Sequence, residues 1–429
     1  MSKSNFGSKR LAATEQKRFR EPVIEAKAQM LRHGRPSSPS GPGRDTRPIV
    51  VLGGGASHEI FLHDLHDRYG AFTLLDVNPD APGRQWAERF FPVSIYDFEA
   101  CRTALSPFIG RETQLVTFAT GPAGDVCRRL CEAFNLAQRS ARLAAAANNK
   151  LSLADILARQ GLRVPRQMTL ARAHLQTAQM EHMTFPAILK PVHGGGGLHV
   201  GAVENAAQAI RLCRDLDRPL LLQEKLFGRE ELLWLIVRKG RVAALVHGEN
   251  LFHEATGWNS PLGLAMTRVP VERGVPPRWR KLAGELIEAF GLEDDFIVAE
   301  LITDQLGETI IDVELNGLSA FACSNVLERN LLGSLLVDTY LRRNFSGPET
   351  AGWSSCMAFF AAGNPQALER MAQKAARVGG CVVEPPRSVS KLNCFGKTVY
   401  KGGYLIITDA DDMAEAADKA RTILLEAAA

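Results

Sequence analysis

The chain contains no run of eighteen or more apolar residues, and its start is not a charged segment leading into an apolar stretch with a small-residue cleavage site. A bilayer span and secretion are therefore not expected, and the sequence reads as cytoplasmic. It also lacks a CxxC and any Cys/His pair at zinc spacing. Its eight cysteines (Cys101, Cys127, Cys131, Cys213, Cys323, Cys356, Cys381 and Cys394) are scattered through 429 residues, too long a chain to need disulfide staples. They read as reduced thiols that fill cores. No convincing Ser/His/Asp or Cys/His nucleophile set is present. Excess positive charge is also missing from the body of the chain: residues 1–47 hold eleven Lys or Arg against four Asp or Glu, leaving 40 against 43 beyond them. A nucleic-acid partner is thus not expected, and the Ser-, Pro- and Gly-rich start has the composition of a disordered basic tail.

What is present, 45% hydrophobic and 23% charged residues, is ordinary for a globular protein of several domains. Order begins at Pro48. The apolar run Ile49 to Leu52 leads into Gly53, Gly54 and Gly55, a helical stretch from Ser57 to Tyr69 and a second apolar run, Phe72 to Leu75. Asp76 follows where a dinucleotide fold would hold a ribose hydroxyl, but the loop reads GGGASHE rather than GxGxxG. A third strand, Gln114 to Phe118, precedes a helix whose Cys127 and Cys131 share one face and read as buried thiols. His63 and His66 read as a solvated helix face.

Lys150 opens a helix ending at Gly161. Further on, Phe185 to Pro191 reads as a strand with an inward Lys190, followed by His193 and the glycines Gly194, Gly195, Gly196 and Gly197. Four successive glycines lose much backbone entropy on ordering, so their value lies in letting N–H groups close over an anion such as a triphosphate. The strand Pro219 to Gln223 ends in Glu224-Lys225-Leu226-Phe227-Gly228-Arg229-Glu230, and two carboxylates six apart around a glycine turn suit an adenine amino group and a ribose. Glu300 ends the apolar strand from Phe296, and after a turn through Asp304 to Gly307 a second strand carries Glu314 and Asn316 on one face. These three offer hard oxygen ligands to magnesium or manganese.

A first lysine, a second lysine with a glycine-rich loop, a carboxylate pair and an E-x-N strand in this order resemble the ATP-grasp superfamily, over roughly residues 48 to 429. The resemblance implies an α/β and α+β fold: a disordered tail (1–47), a Rossmann-like preceding domain (48–145) without dinucleotide binding, a central ATP-grasp domain (146–340) and a small α+β carboxyl-terminal domain (341–429). It implies that Lys150 and Lys190 bind the ATP phosphates and that His193 to Gly197 fold over them. Glu224 would meet the adenine amino group, backbone near Lys225, Leu226 and Phe227 the base, and Glu230 the ribose. Glu300, Glu314 and Asn316 would hold the metal. The implied chemistry is attack of a carboxylate on the γ-phosphate to give an acylphosphate and ADP, then displacement of phosphate by an amine.

The carboxyl-terminal pattern, with strands through Thr398 to Ile407 and a helix from Met413 to Leu425, looks like the final domain of L-amino-acid ligases and biotin carboxylase-like enzymes. The expected partners are therefore a small carboxylate and an amine, amino acids first among them, with a homodimer as the default assembly. A bicarbonate-using carboxylase and a non-catalytic ATP-binding module are the alternatives, and no Met-Lys biotin-attachment sequence is present. Many relatives carry an arginine shortly after the metal-binding asparagine, where this chain has Gly317-Leu318-Ser319. The next cation is Arg329, which either takes over the acylphosphate contact or caps a helical stretch from Leu327 to Leu336. His253 and Glu254 lie in a polar segment that is either a substrate loop or a solvated one.

Overall fold

A computed structural model describes residues 47–119, 121–137, 140–170, 180–194, 199–215, 218–251, 263–271, 274–315, 319–345, 352–360, 365–383, 389–392, 398–401 and 403–428. The first unit alternates β1 (Ile49–Leu52), α1 (Glu59–Tyr69), β2 (Phe72–Leu75), β3 (Ala87–Phe91), α2 (Phe98–Leu105), β4 (Gln114–Thr117) and α3 (Ala123–Ala133). Its strands form a parallel sheet of order β3-β2-β1-β4. All four residues of β1 are buried, as a parallel strand covered on both faces requires. The helix expected from Ser57 begins two residues later, because Ala56–His58 form a 3-10 turn first.

α4 (Ala141–Ala147) and α5 (Lys150–Arg159) lead into a smaller lobe. Asn149 caps α5, its side chain accepting from the backbone N–H of Leu151 (2.9 Å), and this cap sets Lys150 as the first helical residue. The lobe is an antiparallel sheet of order β5-β8-β6-β7, made of β5 (Gln167–Leu170), β6 (Ala187–Pro191), β7 (Gly201–Val203) and, after α6 (Ala206–Asp215), β8 (Leu220–Glu224).

The larger lobe comprises β9 (Arg229–Arg238), β10 (Arg241–Leu251), β11 (Gly263–Val269), α7 (Pro277–Phe290), β12 (Asp295–Asp304), β13 (Gly307–Glu314), α8 (Ser319–Glu328), α9 (Leu331–Tyr340) and β14 (Trp353–Phe360). It continues with α10 (Pro365–Arg377), β15 (Gly380–Val383), a two-stranded ribbon of β16 (Val389–Leu392) and β17 (Thr398–Lys401), β18 (Gly403–Ile407) and α11 (Met413–Ala428). One eight-stranded sheet of order β13-β12-β9-β10-β11-β14-β18-β15 runs through it. The strands after residue 341 therefore extend the central sheet, joined by the β11–β14 ladder from Gly263↔Ala358 to Arg268↔Trp353. Glycine is required at 263, since a Cβ there would lie 2.9 Å from the Ala358 Cα.

Period-2 alternation along β9 divides the core. Leu233, Leu235 and Val237 pack with Trp279, Leu286 and Phe290 of α7 on one face. Leu232, Trp234 and Ile236 pack on the other with Phe296, with Phe321 of α8 and with Phe61 of α1. Phe61 stacks on Phe118 at 4.8 Å and meets Phe321 edge-on at 5.0 Å, so the parallel unit docks on the larger lobe through aromatic contacts. No helix among the described residues is long and apolar enough to cross a membrane.

Candidate active site

The glycine segment after β1 does not form an open anion cradle. Asp76 accepts from the N–H of Gly54 (2.7 Å) with one oxygen and of Asn78 (2.8 Å) with the other. Gly83 donates to the Gly54 carbonyl at 2.9 Å, laying a 3-10 turn over the loop. The carboxylate at the position that would hold a ribose is thus engaged by its own loop. His58 beside it is held neutral, burial pushing its pKa down to about 4. Cys127 and Cys131 are core thiols, each directed at the Leu115 carbonyl. The HDLHD stretch is only partly a solvated face: His63 pairs with Asp67 at 3.6 Å, whereas Asp64 is drawn inward to Arg68 and Ser334.

The charged residues gather where the smaller lobe meets the β12–β13 hairpin. Glu300 stands directly opposite Asp312 across the ladder, and Val298 opposite Glu314. Between Glu300 and Leu301 the register slips, their partners being Asp312 and Ile310, so Ile311 is the extra residue of a β-bulge. The bulge presents the Ile311 carbonyl to Lys190, whose Nζ donates to it at 3.1 Å from the neighbouring lobe. One residue on, Asp312 receives Lys150 at 2.5 Å, and the same ammonium donates to the Gly194 carbonyl at 3.2 Å.

The electrostatics follow from this crowding. Burial holds the Glu300 carboxyl well above the usual carboxylate range, reinforced by Glu314, Asp312 and Glu230 and opposed by Lys150. Burial also pushes the Lys190 ammonium down to about 8, with Lys150 adding to the effect and Asp312 opposing it. For Lys150 burial works in the same direction, but the Asp312 carboxylate, with Glu300 and Glu314, outweighs it and the net shift is upward. Glu230 is raised by burial against a hydrogen bond from Asn250 at 2.6 Å. Titratable groups perturbed by burial and by one another in this way mark the meeting of the lobes as a candidate functional site. Among the described residues no group of three His, Cys, Asp or Glu side chains could enclose a metal by itself. A divalent ion here would have to draw further oxygens from phosphates or water, as magnesium commonly does.

Lys150, Lys190, Glu300 and Glu314, all legible in the sequence, thus converge, with Glu230 close enough to raise Glu300. Asp312 was missed, although it lies two residues before Glu314 and the alternation that pairs Glu314 with Asn316 reaches it equally. Glu224 does not stand free: it accepts from the backbone N–H of Arg166 at 2.8 Å and from its Nε at 3.1 Å. Lys225 lies over the ring of Phe227, which is 70% exposed. The turn holding Leu226 is fixed by Gly228, where a Cβ would collide with the Thr303 backbone. His193 is exposed, its Nδ1 2.7 Å from the Asn148 carbonyl. Gly194 adopts a φ of +129°, open only to glycine. Gly195, Gly196, Gly197, His253, Glu254 and Asn316 lie outside the described residues.

Arg329 lies in a turn between two helices. The helical stretch from Leu327 to Leu336 is broken, because Arg329 and Asn330 both take left-handed backbone (φ +54° and +60°) between α8 and α9. Arg329 is exposed in that turn, and no described hydrogen bond or ion pair joins it to the carboxylates. Arg268, buried on β11, is instead the cation bound to Glu328.

Residues 147–315, the segment that carries these groups, match the family model of the ATP-grasp domain. No curated protein sequence matches the chain. Among solved structures it is similar to a carboxyaminoimidazole ribonucleotide synthase from Aspergillus clavatus complexed with ATP, at 15% identity and a TM-score of 0.67 over 90% of this chain and 99% of that one. It is similar to an N5-carboxyaminoimidazole synthetase from Staphylococcus aureus complexed with ADP, at 13% identity and a TM-score of 0.66 over 88% of this chain and 97% of that one. An L-amino acid ligase from Bacillus licheniformis gives 15% identity and a TM-score of 0.66, over 89% of this chain and 97% of that one. The chain therefore carries an ATP-grasp domain over residues 147–315, set in an architecture that it shares with these enzymes.

Proposed function

We propose that the protein is an ATP-dependent carboxylate–amine ligase that works through an acylphosphate and releases ADP and phosphate. The observation that carries this reading is the convergence of Lys150 and Lys190 on Glu300, Asp312 and Glu314 between two lobes. In this reading the two ammonium groups take the phosphate oxygens, offsetting the charge that spreads over the transferring phosphoryl group. Glu300 and Glu314, with Asn316, would hold magnesium, which when bound neutralises phosphate charge. The carboxylate oxygen of the substrate bonds to the γ-phosphorus as the bond to the ADP oxygen breaks. The amine then attacks the acyl carbon and phosphate leaves. His193 and Gly194 to Gly197 would exclude water from the acylphosphate. Glu224 to Phe227 would lie along the base and Glu230 at the ribose, with Arg166 giving way from Glu224 or sharing it.

The similar structures include both carboxyaminoimidazole synthetases and an amino acid ligase, so bicarbonate as the carboxylate is the second reading. ADP and phosphate release from magnesium-ATP, measured against pooled amino acids, small carboxylates and bicarbonate with Glu314→Ala as control, separates the two. Release that needs an acid and an amine together supports the ligase, and release with bicarbonate alone moves the protein to carboxylation. ATP binding without turnover on any pool would favour a non-catalytic module.

A further inference from the structure

Both lysines assigned to the nucleotide phosphates already have protein partners, one for each from adjacent residues of one strand. Lys190 donates to the Ile311 carbonyl at the bulge. Lys150, whose side chain is 10% exposed, is bound by Asp312 and the Gly194 carbonyl. The Asp312 carboxylate accepts from the Lys150 ammonium and from its neighbour's N–H, that of Val313 at 3.0 Å. Glu300 faces it across the ladder and Glu314 follows two residues on, so Lys150 offsets a crowd of like charge.

Resting on the ATP-site reading above, we propose that Asp312 is a positioning residue that acts as an internal stand-in for a nucleotide phosphate. It holds the Lys150 ammonium in the nucleotide-free protein and yields it to a phosphate oxygen on binding. A buried ammonium cannot be left without a partner, so the site needs an anion whether or not nucleotide is present. Nucleotide must displace that anion, which lowers its apparent affinity by the fraction of protein in which Lys150 is engaged. The two alternatives predict other outcomes. If Asp312 merely braces Lys150, its removal loosens the ammonium and weakens binding. If it acts only through the general negative field, removing any of the three carboxylate charges has the same effect.

The test is ADP binding by calorimetry to the full chain, in EDTA and in magnesium, for the wild type, Asp312→Asn, Asp312→Ser and Glu314→Gln, with thermal unfolding as the check on folding. In EDTA both Asp312 variants should bind ADP about tenfold more tightly than the wild type, and Glu314→Gln should change it less than about threefold. Unchanged or weaker binding in the Asp312 variants overturns the proposal, as does equal tightening in Glu314→Gln. Absence of ADP binding by the wild type even with magnesium overturns the ATP-site reading and this proposal with it. Should neither Asp312 variant fold, a crystal structure of the wild type with magnesium-ADP decides: Lys150 on a phosphate oxygen and off Asp312 supports the exchange, and an intact Lys150–Asp312 pair overturns it.

Discussion

Gly124, in the first turn of α3, packs against Leu315 at the end of the β13 strand that carries Asp312 and Glu314; a Cβ at 124 would lie 2.9 Å from the Leu315 Cδ1. The parallel unit therefore braces the carboxylate strand through a glycine too small to push it. Gly124→Val should displace Leu315, cost about 1–3 kcal/mol of stability by overpacking, and slow ATP turnover. Gly124→Ala should do less, since the end of a leucine side chain can swing. Thermal unfolding and ADP release check this, and a valine variant unchanged in both would remove the bracing role.

Lys190→Ala and Glu314→Ala should each abolish ADP release while leaving the melting transition cooperative. On the proposed reading Lys190 supplies charge to the phosphates and Glu314 oxygen ligands to the metal, and an alanine methyl group supplies neither. Full activity in either variant would remove the site assignment.

Lys190 carries a pH dependence whose sign is fixed by its environment. Burial lowers its pKa to about 8. The burial cost to stability is thus full below pH 8 and is relieved as pH rises from there to the ordinary lysine value, because the unfolded chain binds more protons across that window. Phosphate favours the ammonium, so ADP binding near and above pH 8 should take up protons and weaken with rising pH. Calorimetry in buffers of different ionisation enthalpy reads the uptake directly, and Lys190→Met should eliminate it. Identical uptake in that variant would assign the titration to another group.

Arg68 of α1 joins the two units by binding Asp338 of α9 at 2.5 Å and Asp64 at 3.1 Å, with the Tyr69 hydroxyl also donating to Asp338. Burial raises both acids in spite of Arg68 beside them, so the network is held against its own desolvation. Arg68→Ala should cost about 3–5 kcal/mol by stranding buried carboxylates. The paired change Arg68→Met with Asp338→Leu should recover part of that loss in urea unfolding, Asp64 still lacking its cation. A double variant no more stable than the single one would show that the network contributes more than it costs.

Local pattern carried much of this architecture. Apolar runs separated by glycines located β1, β2 and β4, the glycine at 161 located the end of the helix that Lys150 opens, and alternation on β13 placed Glu314. Those signals are local because glycine tolerance, capping and strand period act within a few residues. Other features depend on pairing between distant segments. Asp312 matters because a bulge at Ile311 sets it opposite Glu300 and under Lys150, from 162 residues away. Glu224 is engaged because β5 and β8 bring Arg166 beside it. The strands after residue 341 continue the central sheet because β11 accepts β14 along its edge. The sequence by itself determined which residues could bind phosphate and metal, since charge and backbone freedom belong to single residues. Tertiary structure alone decided which of those charges face one another, since register and desolvation exist only once the lobes are packed.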